Sequence, residues 1–230
     1  MKPLAGLLLL LLAGCGVKGR LLPPDPPPGA VGNITFRQID RGILLSWTPQ
    51  PPPGTKRTTT DTGYRVLRTV RQPSETRCVR CDDAWSPVVT LHPGSPPTFL
   101  DSPLETGLVY RYRIIPVDSR GVEGTFVDTP SIPLVTPPTP PSVTASLSGG
   151  GVLLTLPPPP PAGGFRIVRR DDTGKEIILT PKPARESTFT DRTVIPSRRY
   201  GYRAVTILTH DGLTVESAPS LELFITFSFP

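Results

Sequence analysis

The feature that most constrains this 230-residue chain is that it matches itself. Gly42-Ile-Leu-Leu-Ser-Trp47, followed by Thr-Pro-Gln-Pro-Pro-Pro, corresponds to Gly151-Val-Leu-Leu-Thr-Leu156, followed by five prolines. Gly63-Tyr64-Arg65-Val66-Leu67-Arg68 corresponds to Gly164-Phe165-Arg166-Ile167-Val168-Arg169. Thr98-Phe99-Leu100-Asp101, with Tyr110-Arg111-Tyr112 downstream, corresponds to Thr188-Phe189-Thr190-Asp191 with Tyr200-Gly201-Tyr202. Gly121-Val122 pairs with Gly212-Leu213. Four blocks in one order at a slowly changing offset predict two copies of one domain of roughly 100 residues, the ordinary size for a small sandwich.

The blocks read as strands. Tyr110, Tyr112 and Ile114 alternate with Arg111 and Arg113, which turns the apolar set inward and the arginines outward. Near the C-terminus Leu221, Leu223, Ile225, Phe227 and Phe229 alternate with other residues as a last strand would. No helical period stands out after residue 15. The chain carries 33 prolines, roughly three times the average usage of about 5%. They cluster at Pro23 to Pro28, Pro51 to Pro53, Pro137 to Pro141 and Pro157 to Pro161, between the apolar runs. That distribution suits loops, edges and joints of an all-β chain rather than disorder. The expected division is residues 29–137 and 138–230, joined by a semi-rigid polyproline spacer into a short two-module rod.

The blocks resemble the fibronectin type III sandwich. Trp47 stands where that family has its strand-B tryptophan and Tyr64 where it has its strand-C tyrosine. Leu104, Tyr110, Tyr112, Ile114 and Val117 are similar to its E–F corner and strand F, echoed by Val194, Tyr200, Tyr202 and Ala204. The second copy departs from the pattern with Leu156 in place of the tryptophan. The resemblance covers residues about 29 to 228 and implies two tandem fibronectin type III or Ig-like sandwiches.

The N-terminus resembles a bacterial lipoprotein signal. Lys2 precedes the apolar run Leu4 to Leu12, and Leu12-Ala13-Gly14-Cys15 is similar to a lipobox. The apolar run falls short of the ~20 residues a membrane span needs. The resemblance implies cleavage after residue 14 and acylation of Cys15, with residues 15–28 as a proline-rich stalk. Each buried methylene contributes about 0.8 kcal/mol, so two or three acyl chains hold the protein to a membrane. Gly16, where an acidic residue would favour inner-membrane retention, implies an outer-membrane address facing the periplasm or the surface. Cys15-Gly16-Val17-Lys18-Gly19-Arg20-Leu21-Leu22 is also similar to small lipoproteins that assist a lipopolysaccharide translocon, with Arg20 in place of their proline.

Function on a sandwich sits mainly on its loops, so the differences between the copies matter. Trp47 to Tyr64 spans seventeen residues against nine from Leu156 to Phe165, and the extra segment, residues 55–62, is polar. A second insertion, between Tyr64 and Tyr110, carries Cys78-Val79-Arg80-Cys81. As a disulfide the pair suits an oxidising compartment and leaves no thiol unpaired beside a lipidated Cys15, and this reading is preferred. As half a zinc site it lacks a partner half, since His92 and His210 show no ligand spacing. As a redox centre it has Arg77 and Arg80 beside it but no thioredoxin-like context.

The net charge is +6, which in an envelope protein points to anionic partners such as lipopolysaccharide or acidic glycan, and no nucleic-acid motif is present. The sequence carries no nucleophile elbow, zincin motif or phosphate loop, so no catalytic activity, cofactor or metal is expected. His210-Asp211-Gly212 reads as a hairpin turn, Gly149-Gly150-Gly151 as another turn, and the repeated Asp101 and Asp191 as turn caps. Outward-facing Arg65, Arg111 and Arg113 in the first copy, and Arg166, Arg199 and Arg203 in the second, form the binding candidate: a basic stripe for phosphate or acidic glycan. The competing reading is a plain solvated face on which Glu123, Asp118 or Glu216 neutralise them. The expectation is thus a non-catalytic binding or scaffold lipoprotein, holding an envelope protein or polymer near the membrane. Its rivals are a translocon assembly factor acting through residues 15–28 and a periplasmic thiol redox protein.

Overall fold

The computed structural model describes residues 28–51, 61–77 and 84–228. The first half contributes β1 (Ala30–Ile39), β2 (Gly42–Gln50), β3 (Thr62–Arg71), β4 (Ser86–Leu91), β5 (Thr98–Asp101), β6 (Val109–Asp118), β7 (Val127–Asp128) and β8 (Ile132–Pro133). Alternation drives the assembly: Ile43, Leu45 and Trp47 of β2 are buried, while Ser46 and Thr48 between and beyond them are not. β1, β2 and β5 form one layer and β4, β3, β6 and β7 the other, with β8 continuing along the far half of β6. Between them lie Ile43, Leu45, Trp47, Tyr64, Val66, Tyr110, Tyr112 and Ile114. Trp47 and Tyr64 meet edge to face, with centroids 5.1 Å apart and planes at 73°.

The second half repeats the plan with β9 (Thr144–Ser148), β10 (Gly151–Thr155), β11 (Gly163–Arg170), β12 (Glu176–Ile178), β13 (Thr188–Asp191), β14 (Arg199–His210), β15 (Leu213–Glu216) and β16 (Leu223–Thr226). β13, β10 and β9 form one layer; β12, β11, β14 and β15 form the other, and β16 pairs with the start of β14. Leu156 and Phe165 fill the places of Trp47 and Tyr64, so this core has no edge-to-face pair there. The chain is therefore all-β, two tandem sandwiches with the fibronectin type III strand plan. The last strand begins only at Leu223; Leu221, expected on its inner face, precedes it and is 95% exposed, although the chain is already tied to β14 at Ser220, whose N–H donates to Ala204 O.

Turn chemistry sets the hairpins. Asp211 and Gly212 have φ of 47° and 80°, and Gly149 and Gly150 have 55° and 78°. Each pair is the complete two-residue loop between adjacent strands, where positive φ at both positions matches the strand twist.

The two sandwiches share a sheet. β1 runs parallel to β15, with Gln38 opposite Val215 and Ile39 opposite Glu216. The order β12-β11-β14-β15-β1-β2-β5 is thus continuous across the chain. This differs from the expected rod held by its proline spacer alone: the modules are joined strand to strand, because each left one sheet edge open.

Candidate functional site

Each sandwich builds the same triad around a buried aspartate. In the first, Arg68 Nη1 donates to both oxygens of Asp101, at 3.1 and 2.9 Å, and Tyr112 Oη donates to Asp101 Oδ2 at 2.9 Å. In the second, Arg169 Nη1 donates to Asp191 Oδ2 at 2.8 Å and Tyr202 Oη to the same oxygen at 3.0 Å. Burial, and then the negative charge of the aspartate, push both tyrosine hydroxyls far above their ordinary range. Burial works against ionisation of Asp191, but Thr193, Arg169 and Tyr202 outweigh it and hold the carboxyl below its ordinary value. Asp191 does cap a turn, accepting from Thr193 N–H at 2.9 Å and Thr193 Oγ1 at 2.7 Å. The turn-cap reading saw only that half of its role. The arginine partners were visible in the repeat, since both copies of the Gly63 block end in arginine. With both tyrosine hydroxyls held protonated and each bonded to its aspartate, the triads act as structural staples.

Next to each triad stands a tyrosine corner. Tyr110 Oη donates to Glu105 O and accepts from Glu105 N, both at 2.9 Å, and Tyr200 Oη accepts from Ile195 N at 2.9 Å.

The six candidate arginines do lie on the outer faces of the β3/β6 and β11/β14 pairs, and carboxylates meet most of them. Arg65 pairs with Glu123. Arg113 grips Asp128 through Nε at 2.7 Å and Nη2 at 2.9 Å, while Arg111 approaches Asp128 at 3.8 Å. Arg166 meets Glu216 at 2.7 Å and Arg203 meets Glu176 at 2.7 Å. Arg199 instead lies over the ring of Phe224, 4.4 Å from its centroid, and with Arg170, Gly201 and Phe224 lines an open groove of about 410 Å³. The stripe is therefore largely a set of ion pairs, as the competing reading had it for Glu123 and Glu216. Asp118 is different: it bonds Arg120 and the N–H groups of Arg120 and Val122 within its own turn.

The first sandwich also builds something that sequence inspection did not find. The Arg113 guanidinium is clamped between two rings, 4.5 Å from the Trp85 centroid and 3.7 Å from that of Phe126, and Arg111 lies 5.7 Å from Trp85. Phe126 remains 47% exposed. Trp85 lies before β4 and Phe126 before β7, so nothing in the local pattern links them. The second copy has Gly201 at the Arg111 position and only the Arg203–Glu176 pair at the Arg113 position. The fold itself does not need the stack.

Cys15, Cys78 and Cys81 lie outside the described residues. Among the described residues, no group of three or more His, Cys, Asp or Glu side chains is placed to hold a metal ion, and no helix is long and apolar enough to cross a membrane. His210 is exposed at the hairpin turn, 3.6 Å from Asp211.

No family model matches the chain, and no curated protein matches it. Solved structures do. A two fibronectin type III domain segment from chicken tenascin is 15% identical, covering 88% of this chain and 100% of its own, with a TM-score of 0.32. The FN1–FN3 domains of chicken CNTN1 are 14% identical over 89% of this chain and 69% of theirs, with a TM-score of 0.43. The chicken interferon gamma receptor alpha chain is 14% identical over 88% of this chain and 99% of its own, with a TM-score of 0.34. The sandwich assignment rests on the strand order and register given above.

Proposed function

We propose that this chain is a lipid-anchored envelope protein whose sandwiches serve as a non-catalytic binding or scaffold module, tethered through Cys15. The observation that carries the binding half of this reading is the Trp85–Arg113–Phe126 stack. Tryptophan and arginine are the side chains that dominate protein–protein hot spots. Here the guanidinium is already immobilised by two rings and a bidentate carboxylate, so docking orders few further rotamers. The second copy folds without such a stack, which separates it from the needs of the sandwich. The anchoring half rests on the lipobox resemblance alone.

Both halves are tested together in cells. A photo-crosslinking amino acid at Phe126 is expected to give a discrete adduct in the membrane fraction, while the same probe at the exposed Ile195 of the second sandwich does not. Trp85→Ala with Arg113→Ala should abolish the adduct, and Cys15→Ser should move the protein out of the membrane fraction. An adduct that survives the double substitution refutes the stack as the contact; retention of the serine variant refutes the anchor.

A further inference from the structure

We infer that the two sandwiches are one locked body, held by a joint in which β15 of the second completes the first and Glu216 latches it, so that the proline spacer is dispensable for their association.

The second sandwich lends its own strand to the first core. Leu213 and Val215 belong to the buried cluster of the first sandwich, not to the cluster around Tyr202. The main chain continues the bond: beyond the parallel register, Asp40 N–H donates to Glu216 O at 2.8 Å.

Side chains brace the shared sheet on both faces, within the first sandwich on the inner face and across the joint on the outer one. On the inner face Gln38 is fully buried. Its amide donates to Asp40 O at 2.8 Å and Val135 O at 2.7 Å, and its oxygen accepts from Val135 N–H at 3.1 Å. A glutamine that pairs both backbone groups of another residue acts as one more rung of sheet. On the outer face the carboxylate of Glu216, only 5% exposed, stands between Arg37 Nη1 of the first sandwich at 3.0 Å and Arg166 Nη1 of the second at 2.7 Å. One carboxylate serves two guanidinium groups from different modules.

Open sheet edges are a liability, and here two of them satisfy one another. A consequence is that the Phe126 face and the Arg199–Phe224 groove keep a constant spacing whatever the spacer does.

The full chain, carrying a protease site inserted between Pro137 and Pro138, tests this after folding. Once cut, the halves are expected to co-elute under native conditions and to separate only in denaturant. Native separation of the cut wild-type chain would overturn the inference. Glu216→Gln keeps the shape of β15 while removing the charge, and should weaken the association of the cut halves at least about tenfold, or about 1.4 kcal/mol. Glu216→Lys should release them. Trp47 fluorescence of the uncut variants checks that the first sandwich is still folded. Cut variants that hold together as tightly as wild type would overturn the latch.

Discussion

Arg169→Met probes the second sandwich and the joint in one measurement. The substitution keeps an apolar stem but removes the guanidinium from Asp191, whose carboxylate is 1% exposed and whose partner is 9% exposed. Removing one member of a buried pair costs about 3–5 kcal/mol, because the remaining charge stays buried. Tyr202 and Thr193 still bond the carboxylate, which places the expectation toward the lower end. At about 2–4 °C per kcal/mol for a unit of 150–250 residues, the melting temperature should fall by roughly 6–12 °C. The only tryptophans are Trp47 and Trp85, both in the first sandwich, so in a Trp85→Phe background fluorescence reports that sandwich alone. Unfolding of the second sandwich would expose Leu213 and Val215, worth about 1.5–3 kcal/mol each as an upper estimate. That is of the same order as the damage done, so the Trp47 transition should move with the loss of β signal in far-UV circular dichroism. Asp191 adds a pH signature. Its folded pKa is depressed, so it contributes stability above the unfolded value of 3.8, lost as pH falls through the folded value. Without Arg169 that loss should begin at higher pH. A destabilisation below about 1 kcal/mol would refute the buried-pair argument, which rests on the low exposure of both partners. A dichroism shift with no fluorescence shift would refute the coupling.

Three further outcomes are expected. Asp118, drawn down to about 2 by Arg120 and two N–H groups despite the opposing effect of burial, should contribute stability that is lost between about pH 4 and pH 2. Asp118→Asn should flatten that acid limb in denaturant titrations run as a pH series. Gly163→Ala would place a Cβ 2.0 Å from the backbone oxygen of Ile207, and should cost about 1–3 kcal/mol in chemical denaturation. Tyr110→Phe removes both bonds of the first corner and should cost about 1–3 kcal/mol, read by Trp47 fluorescence.

Much of the architecture was legible because it is local. The alternation around Tyr110 and Tyr112 marked a strand, and Asp211-Gly212 marked a hairpin. The repeat showed that whatever Trp47 and Tyr64 did, Leu156 and Phe165 would do again. The candidate site was legible only in part. The outward arginines were identifiable from their place between core residues, and Glu123 and Glu216 were candidates for neutralising them, but Asp128 and Glu176 were not. Arg113 and Asp128 are 15 residues apart, Arg203 and Glu176 are 27, and only the sheet brings them within reach. Trp85 and Phe126 gave no signal at all, since each lies in a connection outside the regular alternation.

The sequence by itself determined the all-β class, the duplication and the positions of turns, because periodicity and positive-φ residues act over a few positions. The tertiary structure alone decided which charge pairs with which, which rings clamp Arg113, and that β15, hydrogen-bonded to β14 of the second sandwich, lends its side chains to the core of the first. These depend on which strand edges are left open once each sandwich has closed. An open edge is a property of the assembled sheet, not of any segment within it.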